Sequence, residues 1–98
     1  MNQSVFTETI RRKFPLGQVV MTTNAMRTLH DDEVGTALAN HMHGDWGDVC
    51  PEDRAANDRA LANGGRLFSV YRDGSGFKFW IITEADRSAT TVLLPEDY

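Results

Sequence analysis

Five residues within ten positions could ligate a metal or activate a nucleophile: His41, His43, Asp45, Asp48 and Cys50. Imidazole, carboxylate and thiolate are the usual protein ligands of transition metals. A thiol beside a histidine is also the pair that covalent catalysis uses. The spacing follows no zinc pattern, because neither Cys-x-x-Cys nor His-Glu-x-x-His occurs. No metal or cofactor is therefore expected. Cys50 is the chain's one cysteine, so no intramolecular disulfide can form. A lone cysteine commonly acts as a small buried hydrophobe. No third member or oxyanion hole accompanies this one, and no catalytic residue is assigned.

A second constellation lies near the C-terminal end. Glu84, Asp86 and Arg87 cluster at one turn, with Arg66 and Arg72 on the neighbouring strand. Carboxylates beside arginine can serve as general acid and base in a small ribonuclease-like toxin or another enzyme. The same residue types also build turns, through ion pairs and aspartate side-chain caps. The net charge of −4 weighs against the enzyme. A polyanionic substrate calls for clustered Lys and Arg, so direct nucleic-acid binding is not expected.

The residues best suited to meeting another protein are Asp31, Asp32, Glu33, Asp45, Trp46 and Asp48. Consecutive carboxylates can steer a basic partner. Tryptophan is enriched at binding hot spots. Trp46 sits in the loop Gly44-Asp45-Trp46-Gly47-Asp48, where its ring is either an exposed anchor or a plug folded back over the helices.

The order of local signals sets the elements that hold these residues. Val19, Val20 and Met21 form a short β-branched run that predicts a strand. Thr22, Thr23 and Asn24 are N-cap types ahead of a short helix with Ala25, Met26 and Leu29. Asp31 and Asp32 offer caps for the next helix. There Val34, Ala37, Leu38, His41 and Met42 repeat at helical spacing and form one stripe. Pro51 opens a third, alanine-rich helix that stops at Asn63-Gly64-Gly65. Arg66–Arg72, Phe77–Glu84 and Thr90–Leu94 read as strands separated by Asp73-Gly74-Ser75-Gly76 and Ala85-Asp86-Arg87-Ser88. On the middle strand Phe77, Phe79 and Ile81 share one face, and Trp80 and Ile82 share the other. Apolar residues on both faces call for cover on both sides, from the chain itself or from a partner. The fold class is therefore α+β: a short N-terminal strand, two to three helices, then a three-stranded antiparallel meander.

The 98 residues suit a single domain over 1–98, with residues 1–16 as a candidate N-terminal arm. The hydrophobic share of 41% suits a folded chain. Residues 1–14 lack the apolar core of a secretory signal, and no apolar run is long enough to cross a bilayer. The expected setting is the cytoplasm, without a membrane.

Several strings carry a resemblance. These are Gly44-Asp45-Trp46-Gly47-Asp48, Gly64-Gly65-Arg66, Trp80-Ile81-Ile82-Thr83-Glu84-Ala85-Asp86-Arg87-Ser88 and Thr90-Thr91-Val92-Leu93-Leu94-Pro95-Glu96-Asp97-Tyr98. From Phe14 to Tyr98 the chain resembles a family of small proteins from bacterial plasmids, integrative elements and phage-like islands. These are loosely labelled plasmid-related or type I restriction subunit M. The chain has no glycine-rich fingerprint after a strand, which a methyltransferase would use for its cofactor. The resemblance implies a mobile-element protein that binds a host or defence-system protein complex. Its expected role is inhibition of a CRISPR effector or a restriction enzyme.

Overall fold

The computed structural model describes residues 12–98 and has the α+β order read from the sequence. Strand β1 (Gln18–Met21) leads into a short helix α1 (Thr23–Thr28), then α2 (Asp31–Met42) and α3 (Pro51–Asn63). Strands β2 (Leu67–Arg72), β3 (Lys78–Thr83) and β4 (Ala89–Leu93) follow, closed by a single 3₁₀ turn, Pro95–Asp97.

Helix starts follow local chemistry. The Thr22 hydroxyl accepts from the Ala25 amide at 3.1 Å and caps α1. Asp31 and Asp32 do not cap α2. His30 stands at the N-cap without a side-chain bond, and Asp31, Asp32 and Glu33 fill the first turn. Their charges there complement the positive end of the helix dipole. Pro51 begins α3, and Gly64 ends it at φ 86°. An L residue reaches that region only at a cost.

The strands form one four-stranded sheet in the order β1-β4-β3-β2. β2, β3 and β4 make the expected antiparallel meander. β1 joins its edge parallel to β4, pairing Val19 with Thr90 and Met21 with Val92, so the sheet is mixed. The other edge, β2, is closed by its own chain. The Val70 amide donates to the Trp46 carbonyl at 3.1 Å, and the Asp48 amide donates to the Val70 carbonyl at 2.8 Å. Further along β2, Asn57 of α3 accepts from the Phe68 amide at 3.0 Å and donates to its carbonyl at 2.7 Å. This seals an edge that would otherwise template pairing. Gly47 permits the approach: at φ 71° a Cβ there would lie 2.0 Å from the Val70 carbonyl oxygen.

Two apolar clusters hold the sheet. Ala25, Leu29, Val34 and Ala37 pack on Phe79, Ile81, Val92 and Leu94. Phe14, Trp46, Val49 and Ala60 pack with Leu67 and Val70. Phe14, within the stretch 1–16 read as a candidate arm, belongs to the second cluster. It is buried, and the neighbouring Lys13 amide donates to the Met42 carbonyl at 2.9 Å. Residues 1–11 of that arm lie outside the described residues. Phe77 leaves its expected place, because β3 starts at Lys78 and Phe77 is exposed at the turn.

Among the described residues, no helix is long and apolar enough to cross a membrane.

Candidate functional site

The α2 stripe drives His41 into the sheet, where it is fully buried. Register brings three hydroxyls to it. Ser69 and Ile81 pair across β2 and β3, and Thr83 pairs with both Leu67 and Thr90, so these side chains share the helix-covered face. His41 Nδ1 lies 2.6 Å from Ser69 Oγ, and Nε2 lies 2.8 Å from Thr83 Oγ1. Thr83 and Thr90 hydroxyls are 2.7 Å apart, and Thr90 donates to the Leu16 carbonyl at 2.7 Å.

That last bond fixes the protons on the Nε2 side of the chain. A carbonyl only accepts, so the Thr90 hydrogen is spent on Leu16. Thr83 must then donate to Thr90 and accept from Nε2–H of His41. Ser69 Oγ stands between Nδ1 and the Tyr71 hydroxyl. Nε2 therefore carries a proton, and the ring is neutral at pH 7 because its pKa is low. Burial, with Arg87 adding unfavourable charge, lowers the His41 pKa to about 4. A serine hydroxyl beside an imidazole is the geometry of an activated nucleophile. Here His41, Ser69, Thr83 and Thr90 are all fully buried. The array is a polar keystone of the core rather than an open catalytic centre.

Trp46 is the plug over this network, at 4% exposure. Its ring meets His41 edge-on at 5.6 Å and stacks near Phe14 at 6.1 Å. Its N–H donates to Asp58 at 3.3 Å. The exposed-anchor reading of Trp46 is therefore corrected: the large ring gains more area inside, between helix and sheet, than on a solvated loop.

The acids read as a contact surface split into two sets. Asp31, Asp32 and Glu33 open α2, whereas Asp45 and Asp48 follow its end. A helix of this length separates them by roughly 16–18 Å. Glu33 accepts from the Gly74 amide in the β2–β3 turn. Asp45 accepts from Gly47 through its carboxylate at 3.1 Å and from the Tyr71 hydroxyl through its carbonyl. Burial pushes the Tyr71 phenol up to about 12.

The metal-type residues are also dispersed. His41 spends both nitrogens on hydroxyls, His43 Nδ1 lies 2.7 Å from the Ala39 carbonyl, and Cys50 is exposed at the N-cap of α3. No group of three metal-ligating side chains gathers among the described residues.

At the hairpin, the Arg87 guanidinium is committed to backbone. It donates to the carbonyls of Ala60, Gly65, Glu84 and Ala85 at 2.6–3.1 Å and lies 5.8 Å over the Phe14 ring. It closes the C-terminal end of α3 against the β3–β4 turn. Its backbone sits at φ 63°, a left-handed position held by these bonds. Asp86 caps the Ser88 amide at 3.0 Å. The Asp86 carboxyl is held low by Ser88. Glu84 lies 3.7 Å from Arg66 in an exposed pair.

The opposite face of the sheet has a different character. Phe68 pairs with Ile82 and Val70 with Trp80, which puts Phe68, Trp80 and Ile82 on the face away from His41. A groove of about 290 Å³ opens over them, bordered by Asp53 of α3, Arg66 and Tyr98. Phe68 meets Trp80 edge-to-face at 5.1 Å, and Trp80 meets Tyr98 at 5.7 Å. Arg66 lies 5.9 Å from the Tyr98 ring centre and donates to its hydroxyl at 3.1 Å. The Asp97 carboxylate secures the terminal turn, accepting from Thr22 at 2.6 Å, Asn24 at 2.7 Å and the Leu94 amide at 3.0 Å. The alternation along the strand places Trp80 and Ile82 on this face, and only the fold joins Phe68, Asp53, Arg66 and Tyr98 to them. The two-sided apolarity of β3 was the available signal.

Compared with protein-family models, curated proteins and solved structures, the chain has no match.

Proposed function

We propose that this protein acts by binding another protein, without turnover, as a small acidic inhibitor of a host defence complex such as a CRISPR effector or a restriction enzyme. The observation that carries the binding reading is the open groove of Phe68, Trp80, Ile82 and Tyr98. One face of the sheet is covered by α1 and α2, while on the other Phe68 and Trp80 stay half-buried and Tyr98 exposed. Aromatic side chains in a concave, partly desolvated site are what protein interfaces use as energetic centres. Two further features support binding over catalysis. The Ser69–His41 pair is sealed in the core, and the hairpin arginine is consumed by four carbonyls. The mobile-element setting comes from the resemblance of the Gly44–Asp48 and Trp80–Ser88 strings.

The test is gel filtration of the purified chain with purified restriction and CRISPR effector complexes. The account expects co-elution at fixed stoichiometry with one of them and loss of that complex's nuclease activity. Separate elution from every complex, or progressive cleavage of RNA by the chain alone, would overturn it.

A further inference from the structure

We infer that the groove receives a basic side chain, a lysine or arginine, projected by the partner protein. This rests on the protein-binding reading above and names the partner's chemistry. Phe68, Trp80 and Tyr98 meet in successive edge-to-face contacts, with interplanar angles of 82° and 66°. Rings turned across one another form a corner, and a corner suits a compact cationic head better than a flat stacked ring. Aromatic faces attract cations through their quadrupole. The molecule already makes this contact once, in Arg66 over Tyr98.

The charge at the groove points the same way. Arg66 is balanced by Glu84 and directed to the Tyr98 hydroxyl. Asp53 lines the groove from the first turn of α3, and its carboxylate makes no hydrogen bond or ion pair among the described residues. With Arg66 paired to Glu84 outside the groove, Asp53 is, among the described residues, the lining charge left without a partner beside the aromatic wall. The volume of about 290 Å³ admits one long side chain. The apolar stem of lysine or arginine would lie along Ile82 and Phe68 while its head meets the rings and Asp53.

The experiment uses the full chain, labelled with ¹⁵N, and follows the Trp80 indole N–H. Nα-acetyl-lysine amide and its uncharged counterpart Nα-acetyl-norleucine amide are titrated separately. The lysine probe is expected to shift the Trp80 signal saturably and several-fold more tightly than norleucine, through its cation–π contact. Asp53→Asn and Trp80→Leu, each checked for an unchanged fold by its amide spectrum, are expected to remove that preference. Equal binding of both probes, or a preference retained in Asp53→Asn, would overturn the inference while leaving an apolar protein-binding groove. No response to either probe would overturn it as well, and the gel-filtration test would then decide the broader reading alone.

Discussion

Between about pH 6.5 and about pH 4, acid should weaken this fold chiefly through His41. In the unfolded chain its imidazole takes up a proton as pH falls below about 6.5, whereas in the folded protein burial lowers the pKa to about 4. Between those values the unfolded state binds more protons, so falling pH favours unfolding. The stabilisation is complete above about pH 6.5 and is lost progressively towards about pH 4. Integrating the two titrations, the loss at about pH 5 is about 2 kcal/mol, and its limit below about pH 4 is about 3 kcal/mol. Urea melts at about pH 8 and about pH 5 measure it, with His41→Gln as the reference. The glutamine amide can both donate and accept, and does not titrate. Wild type should lose about 2 kcal/mol more than the variant between the two pH values. Equal losses would show that the imidazole is not held neutral by burial.

Three further outcomes follow from the same contacts. Thr83→Val keeps the shape but strands the Nε2–H of His41 and the acceptor on Thr90. It should cost about 1–3 kcal/mol in denaturant melts, and it should cost more than Ser69→Ala if Nε2 is the protonated nitrogen. Arg87→Lys keeps the charge but cannot serve four carbonyls spread over α3 and the hairpin. A melting temperature several degrees lower is expected, with no rescue by charge alone. Gly47→Ala should destabilise by at least about 2 kcal/mol, because the methyl group would collide with the Val70 carbonyl and open the sealed edge of β2. Circular dichroism melts check both variants.

The elements were readable because their signals are local. The stripe Val34–Ala37–Leu38–His41 lies within one helix, and Pro51 and Asn63-Gly64-Gly65 mark the ends of another. The contacts that give those residues their roles are not local. His41 meets hydroxyls 28 and 42 positions away, and β1 joins β4 across nearly the whole chain. Nothing in a four-residue run of Gln, Val, Val and Met specifies a parallel partner. Arg87 reads as a solvated turn charge until the fold brings the end of α3 beneath it. Trp46 allowed two readings, and burial against Phe14 and His41 decides between them. The open groove had one trace in sequence: a strand, Lys78–Thr83, that is apolar on both faces when only one faces α1 and α2.

The most direct test of the account places the chain in bacteria that carry a restriction enzyme or CRISPR effector and measures how efficiently a targeted phage forms plaques. Wild-type chain should restore plating, and Trp80→Ala, expressed equally and melting as a folded protein, should not. Plating that stays restricted with the wild-type chain, or is restored as fully by Trp80→Ala, would contradict a mechanism of binding through the aromatic groove.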